Sequence, residues 1–348
     1  MIGWSWAPAG IDDRKDVRLL TELLAERPFL LADGATGTNL FEMGLVSGEA
    51  PELWIDSHPD RIMALHQSFV DAGADLILTN TFGCNQRRLM LHDLQSRARE
   101  LNRMAAQLAR AVADKAPRRV IVAGSVGPTG DLLAPLGPLT EEEAVAVFAE
   151  QIAGLREGGA ELAWIETMSA QEEMRAAARA AASLGMPYTL TASFDTAGRT
   201  MMGLAPAALP AFTATLSPQP EALGANCGVG ASDLVMSVLD LAAGANGTPI
   251  IAKANAGIPR WQGAHIHYSG TPAVMGAYAC LAYDAGARII GGCCGTAPAH
   301  LAAMRLALDQ HERRAPPSLE AVVAALGPLA QPPRAEGAEP RRRDRRRG

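Results

Sequence analysis

DAGADLILTN, residues 71–80, carries the chain from a helix into an apolar strand through one glycine, and its repetition decides the fold. Ahead of it, Ser57 precedes a segment that places Ile62, Leu65 and Phe69 on one helical stripe. Gly73 can take the left-handed conformation that ends a helix without steric cost. The run after it is apolar at nearly every position, as a strand covered on both faces should be. The same junction returns as GGAE at 158–161 and DAGAR at 284–288.

Outward from this stretch, short apolar runs occupy residues 28–33, 74–80, 120–127, 161–167, 188–194, 222–227, 249–255 and 287–293. The segments between them carry helix-start signals. Thr140 with Glu143, and Ser169 with Glu172, have capping-box spacing. Thr271 followed by Pro272 fits an N-cap with proline at the first helical position. Eight alternations of strand and helix predict an α/β protein of the (β/α)8 TIM-barrel type, one domain over residues 28–311; a doubly wound open sheet is the main rival. Residues 1–27 are expected to be an N-terminal extension with a short helix, in which Val17, Leu20, Leu23 and Leu24 form a stripe suited to cover the barrel floor. Residues 312–348 are expected to be a disordered Pro/Ala/Arg-rich tail ending RRRDRRRG.

The chain has 348 residues, 48% hydrophobic and 20% charged, enough to bury a large core. Only 5% are aromatic, so that core must rest on Ala, Leu, Val and Ile. A net charge of −6 gives no reason to expect nucleic acid. The last eight residues hold six Arg and one Asp, and a solvated end is the favoured reading over an acidic partner. The start MIGWSWAPAG lacks a secretory pattern, and no apolar run approaches the ~18 residues of a membrane span. A cytoplasmic protein without membrane contact is expected. Five cysteines in a chain this long do not resemble a disulfide scaffold, and in a reducing compartment clustered cysteines more often bind metal or do chemistry.

The C-terminal strand ends of such a barrel form its functional face. They bear Asp33-Gly34, Asn80-Thr81, Gly127-Pro128, Glu166-Thr167, Asp195, Asn226-Cys227, Asn255 and Cys293-Cys294. Three thiolates on one Zn²⁺ leave a fourth tetrahedral position open, which suits a reacting site. Adjacent residues in a strand point to opposite faces, so Cys293 and Cys294 meet one ion only if Gly295 lets the backbone turn. A pair of buried small residues plus an unrelated third cysteine is the plain alternative. Cys84 and Cys280 look like packing residues, and His265 with His267 like parts of a loop. GSVGPTG lacks the lysine of a phosphate-binding loop.

The strings DGATGT at 33–38, LTNTFG at 78–83, GSVGPTG at 124–130, GANCG at 224–228 and GGCCGT at 291–296 resemble the homocysteine S-methyltransferase family over about residues 30–308. The resemblance implies a zinc-dependent methyltransferase of methionine biosynthesis. Its three zinc ligands fall on Cys227, Cys293 and Cys294. The carboxylates that hold the homocysteine ammonium fall on Asp33 and Glu166. Gly34, Thr38, Asn80, Phe82 and Asn255, at or just past strand ends, are expected to complete the substrate site, with backbone amides near 34–38 and 127–128 receiving the carboxylate. Homocysteine would bind as a zinc thiolate and attack an activated methyl group.

The strings look closest to bacterial betaine–homocysteine methyltransferases, so betaine or a related onium donor is the leading expectation. S-methylmethionine, or a corrinoid protein serving a split cobalamin-dependent methionine synthase, is the alternative. An onium cation calls for aromatic faces, for which Trp54, Phe82, Trp164, Phe194 and Trp261 are available. Cys84 stands where the animal betaine enzymes carry a second aromatic. No segment resembles those enzymes' dimerisation arm, so the resemblance predicts no oligomeric state.

Overall fold

The computed structural model describes residues 19–257, 259–262 and 265–330, of which 259–262 and 265–267 are described by their backbone. Eight parallel strands fall on the eight predicted runs, β4 extending one residue past its run: β1 (Leu30–Leu31), β2 (Leu76–Leu78), β3 (Ile121–Val126), β4 (Leu162–Met168), β5 (Tyr188–Ala192), β6 (Ala222–Cys227), β7 (Ile250–Ala254) and, after two hairpin strands, β10 (Ala287–Gly292). They pair in the order β1-β10-β7-β6-β5-β4-β3-β2. A parallel bridge from Ala32 to Leu76 closes the ring. This is the (β/α)8 barrel. An open doubly wound sheet would leave the first and last strands of that order apart. The hairpin, β8 (Pro259–Gln262) with β9 (His265–Tyr268), is antiparallel and stands where the sequence suggested a plain loop.

Alternate residues of each strand face the barrel axis. At the floor these are Leu30, Leu76, Ile121, Leu162, Ile251 and Ile289. Leu20 and Leu24 of the helix Leu19–Glu26 join them from below, and Glu221 holds that helix by accepting from the Leu19 and Leu20 amides. One step up stand Trp164 and Lys253, and at the rim Ser125, Glu166, Asn226 and Asn255. An apolar floor under a polar rim leaves Ser125, Glu166, Asn226 and Asn255 at the C-terminal face.

The outer shell is built largely of alanine. The helices Ala98–Ala113 and Glu141–Glu157 approach so closely that a Cβ at Gly154 would lie 2.4 Å from the Arg99 carbonyl. Small residues thus replace aromatic bulk by close backbone contact. The junction glycines behave as the sequence predicts: Gly73, Gly159 and Gly286 have φ of +103°, +95° and +120°. Thr140 and Glu143 form the reciprocal capping box, and the Thr271 hydroxyl accepts from the Val274 amide. Ser169 does not cap its helix, which begins at Gln171; its carbonyl accepts from the Thr200 hydroxyl.

At the floor, buried Asp75 accepts from Arg27 (2.8 Å), Arg305 (3.0 Å) and the Leu31 amide (2.9 Å), tying β1, β2 and the helix Pro298–Asp309 together. Asp75→Ala would strand two guanidinium groups and an amide. A loss of about 2–3 kcal/mol is expected, read as a lower urea midpoint at unchanged slope.

The predicted tail from residue 312 is corrected over part of its length. Leu319–Leu326 is a helix capped by the Ser318 hydroxyl, and it buries Val322. The Ser232 hydroxyl donates to the Gly327 carbonyl, fastening the segment to the barrel. Its apolar residues, LEAVVAAL, have a face to bury, and the composition average hid this. The RRRDRRRG end and Val17 lie outside the described residues. No helix among the described residues is long and apolar enough to cross a membrane.

Candidate metal and substrate centre

Cys227 ends β6 in a left-handed conformation, φ +63°. That conformation costs a non-glycine residue about 1–3 kcal/mol and marks a functional site when the surroundings enforce it. Cys293 and Cys294 follow β10, and Gly295 at φ +77° supplies the turn that aims both sulfurs one way. The three Sγ atoms all lie within 4.8 Å of one another, with Cys227 and Cys294 at 4.0 Å. Tetrahedral zinc with bonds near ~2.3 Å needs sulfurs about 3.8 Å apart, so the triangle fits the ion. Among the described residues, no fourth histidine, cysteine or carboxylate joins the group. The hydrogen bond to Cys227 raises the Cys293 thiol, the one to Cys294 lowers it, and burial adds to the rise, leaving it above its ordinary range.

Two asparagines brace the triangle. Asn255 directs its Nδ2 at the Cys227 sulfur (3.6 Å) and the Gly228 carbonyl (2.8 Å), while its Oδ1 accepts from the Cys294 amide (3.0 Å). Asn226 directs its Nδ2 at the Cys293 sulfur (3.9 Å) and the Thr167 hydroxyl (2.7 Å). Its Oδ1 accepts from the Thr167 amide and the Thr191 hydroxyl. Thr167 is itself left-handed, φ +61°. Asn226 therefore locks the end of β4, and with it Glu166, to the cysteine-bearing end of β6.

Glu166 and Asp33 are both buried. Glu166 Oε1 accepts from the Ser125 hydroxyl at 2.5 Å. Asp33 Oδ2 accepts from the Leu78 amide (2.7 Å), filling a ladder position where the ring closes, and its Oδ1 meets Lys253 Nζ at 2.8 Å. Burial raises the Glu166 carboxyl, and Lys253 and Ser125 pull it back part of the way. Burial lowers the Lys253 ammonium, but Asp33 and Glu166 outweigh it and hold the group above the usual lysine range. Its 2.8 Å contact with the Asp33 carboxylate is the geometry of an ion pair.

A homocysteine S-methyltransferase profile matches residues 30–308, the whole barrel. The chain belongs to the homocysteine S-methyltransferase family. It is 29% identical to methionine synthase of Mycobacterium tuberculosis over 90% of its own length, and 30% identical to that of Mycobacterium leprae over 81%. It spans about a quarter of each of these relatives, 27% and 24%. Among solved structures, metallated Escherichia coli homocysteine methyltransferase MmuM superposes with a TM-score of 0.70 at 24% identity, over 82% of this chain and 99% of that one. At that identity the likeness shows the shared fold.

Within this family frame, the two most distant strings hold each other. Ala35 donates to both oxygens of Thr296, Asn39 donates to the Thr296 carbonyl, and the Gly295 amide donates to the Thr38 hydroxyl. A Cβ at Gly34 would sit 2.7 Å from the Phe69 ring. Thr38 and Gly34 thus shape the loop that carries Cys294. Asn80 spends its Nδ2 on the Pro51 carbonyl. Phe82 is 40% exposed, and its carbonyl accepts from Gly127. Of the other aromatics expected near a cationic donor, Trp54, Trp164 and Phe194 are sealed in the core, while the Trp261, His265 and His267 side chains lie outside the described residues. Cys84 is fully buried, and Cys280 lies on the helix Pro272–Ala285, away from the triangle. The segments after β3, β4 and β5 enclose a cavity of about 520 Å³ with Leu132, Leu136 and Met201 exposed on its walls.

Sequence reasoning missed Lys253, Ser125 and Tyr268. The signal for Lys253 was present: a single charge in IIAKA, a strand covered on both faces, must have a partner. Tyr268 ends the unforeseen hairpin and packs on the Gly295 backbone, where a Cβ would fall 2.2 Å from its ring.

Proposed function

We propose that this chain transfers a methyl group to the sulfur of homocysteine, forming methionine. The observation that carries this is the open triangle of Cys227, Cys293 and Cys294 beside the buried carboxylates of Asp33 and Glu166. Zinc held by the three thiolates would make the substrate thiol a nucleophile near neutral pH. Asn226 and Asn255 direct N–H groups at two of the sulfurs and keep them aimed inward. Glu166, backed by Asp33, receives the ammonium. Gly34, Thr38, Asn80, Phe82 and Asn255 shape the walls. The reducing cytoplasm is the compartment in which three free thiols persist.

The donor follows from what surrounds the centre. A small onium compound such as betaine, or S-methylmethionine, would call for a cage, and Phe82 is the one described aromatic of the expected set with an exposed face. Two observations favour a methyl group presented on a larger carrier, such as a corrinoid protein. The sequence relatives are methionine synthases more than three times as long, and Leu132, Leu136 and Met201 offer an apolar rim for contact.

The test is methionine formation by zinc-loaded, reduced protein given homocysteine with betaine, S-methylmethionine or methylcobalamin in turn. Turnover with methylcobalamin well above the small donors is expected. Faster turnover with betaine would overturn the donor assignment and keep the reaction. Silence with all three, and no homocysteine binding, would overturn the reaction itself.

A further inference from the structure

We propose that Lys253 is a positioning residue that sets the charge of the homocysteine ammonium site, a role that rests on the function proposed above. Lys253 stands on β7 facing the barrel axis, one step below the rim, with its side chain 2% exposed. Its Nζ meets Asp33 Oδ1 at 2.8 Å and lies 5.6 Å from the centre of the Trp164 ring. The charged and titratable groups that face it are Asp33 before the ring closure, Glu166 on β4 and Cys293 after β10.

Burial raises both the Asp33 and the Glu166 carboxyl, Lys253 draws each back down, and the Asp33 charge adds to the rise at Glu166. With both acids ionised and the lysine paired to Asp33, the set carries one net negative charge. A substrate ammonium completes it to neutrality, whereas a thiol without an amine leaves the charge buried and unmatched. The same count assigns different duties to the two acids. Asp33 already spends one oxygen on the Leu78 amide and the other on Lys253, so it chiefly restrains the lysine. Glu166, held by Ser125 alone among the hydroxyls, is the carboxylate that meets substrate. Remove the Asp33 charge, and Lys253 is left with Glu166 as its counter-ion. It would then compete with the incoming ammonium.

This predicts rescue by a second loss. Lys253→Met alone leaves two uncompensated acids and mixes folding with binding, so the pair is removed together. Calorimetric affinities for homocysteine and for its des-amino analogue, 4-mercaptobutanoate, are compared in zinc-loaded wild type, Asp33→Asn and Asp33→Asn/Lys253→Met, with bound zinc measured in each. Wild type should prefer homocysteine by roughly 10–100-fold, the worth of one charge-assisted contact. Asp33→Asn should lose most of that preference, and the double variant should recover it to within about fivefold. A zinc-bound double variant as poor as Asp33→Asn would overturn the role, as would an Asp33→Asn protein with wild-type preference. A double variant that cannot fold or hold zinc would show the pair to be structural and overturn it too. Failure of wild type to bind homocysteine would overturn the parent function instead.

Discussion

Cys294→Ala is expected to lose bound zinc and methyl transfer together, with activity down by at least about 10³-fold. The reason is additive. A free thiol ionises near pKa ~8.5, so only a few per cent is thiolate at neutral pH, and loss of the metal costs roughly 30-fold from that alone. Loss of the anchor that fixes the sulfur removes a further orientational gain of similar or greater size. Two remaining sulfurs, Cys227 and Cys293, lack a third ligand among the described residues, and Asn255 would lose the Cys294 amide as a well-placed donor only if the loop moved. Zinc content by elemental analysis and methionine formation should therefore fall in step. Cys280→Ser is the control: it lies away from the triangle and should retain one zinc per chain. Activity in a zinc-free Cys294→Ala protein would sink the assignment of the centre.

Glu166→Gln should raise the homocysteine KM by roughly 30–100-fold while kcat at saturation changes little. The amide keeps the shape and its hydrogen bond to Ser125, so the barrel wall and the metal site stay as they are. What is lost is the charge. With Asp33 and Lys253 cancelling each other, the neutral side chain leaves the ammonium with no net partner, a loss of about 2–3 kcal/mol for a buried charge-assisted contact. An effect on binding without one on the saturated rate identifies uniform binding energy. The outcome that contradicts this is an unchanged KM with bound zinc intact. It would place the ammonium elsewhere, against another acceptor or outside the barrel mouth.

The barrel was legible because its signals are local. A run such as LILTN or VIVAGSV has no polar face to show, and the glycine at each junction reports a left-handed turn that no other residue adopts cheaply. The Ser169 cap failed for an equally local reason: Thr200 claims that residue's carbonyl, and the helix starts at Gln171. The hairpin over the centre and the helix Leu319–Leu326 were overlooked. Each is a short element whose stability comes from what it packs on rather than from its own pattern.

The sequence by itself determined the order of the strands and the face on which their ends lie, which depend on residue type and near-neighbour spacing. The three cysteines were named by the family resemblance, since their spacing alone left a plain alternative open. Only the tertiary structure decided what the polar groups do to one another. Closing the ring brings Lys253 to Asp33 across 220 residues, engages both Asp33 oxygens, and directs Asn226 and Asn255 at sulfurs on neighbouring strands. A charge in an apolar strand announces that it has a partner. Which partner it has is set by strand register and barrel closure, and these exist only once the chain is folded.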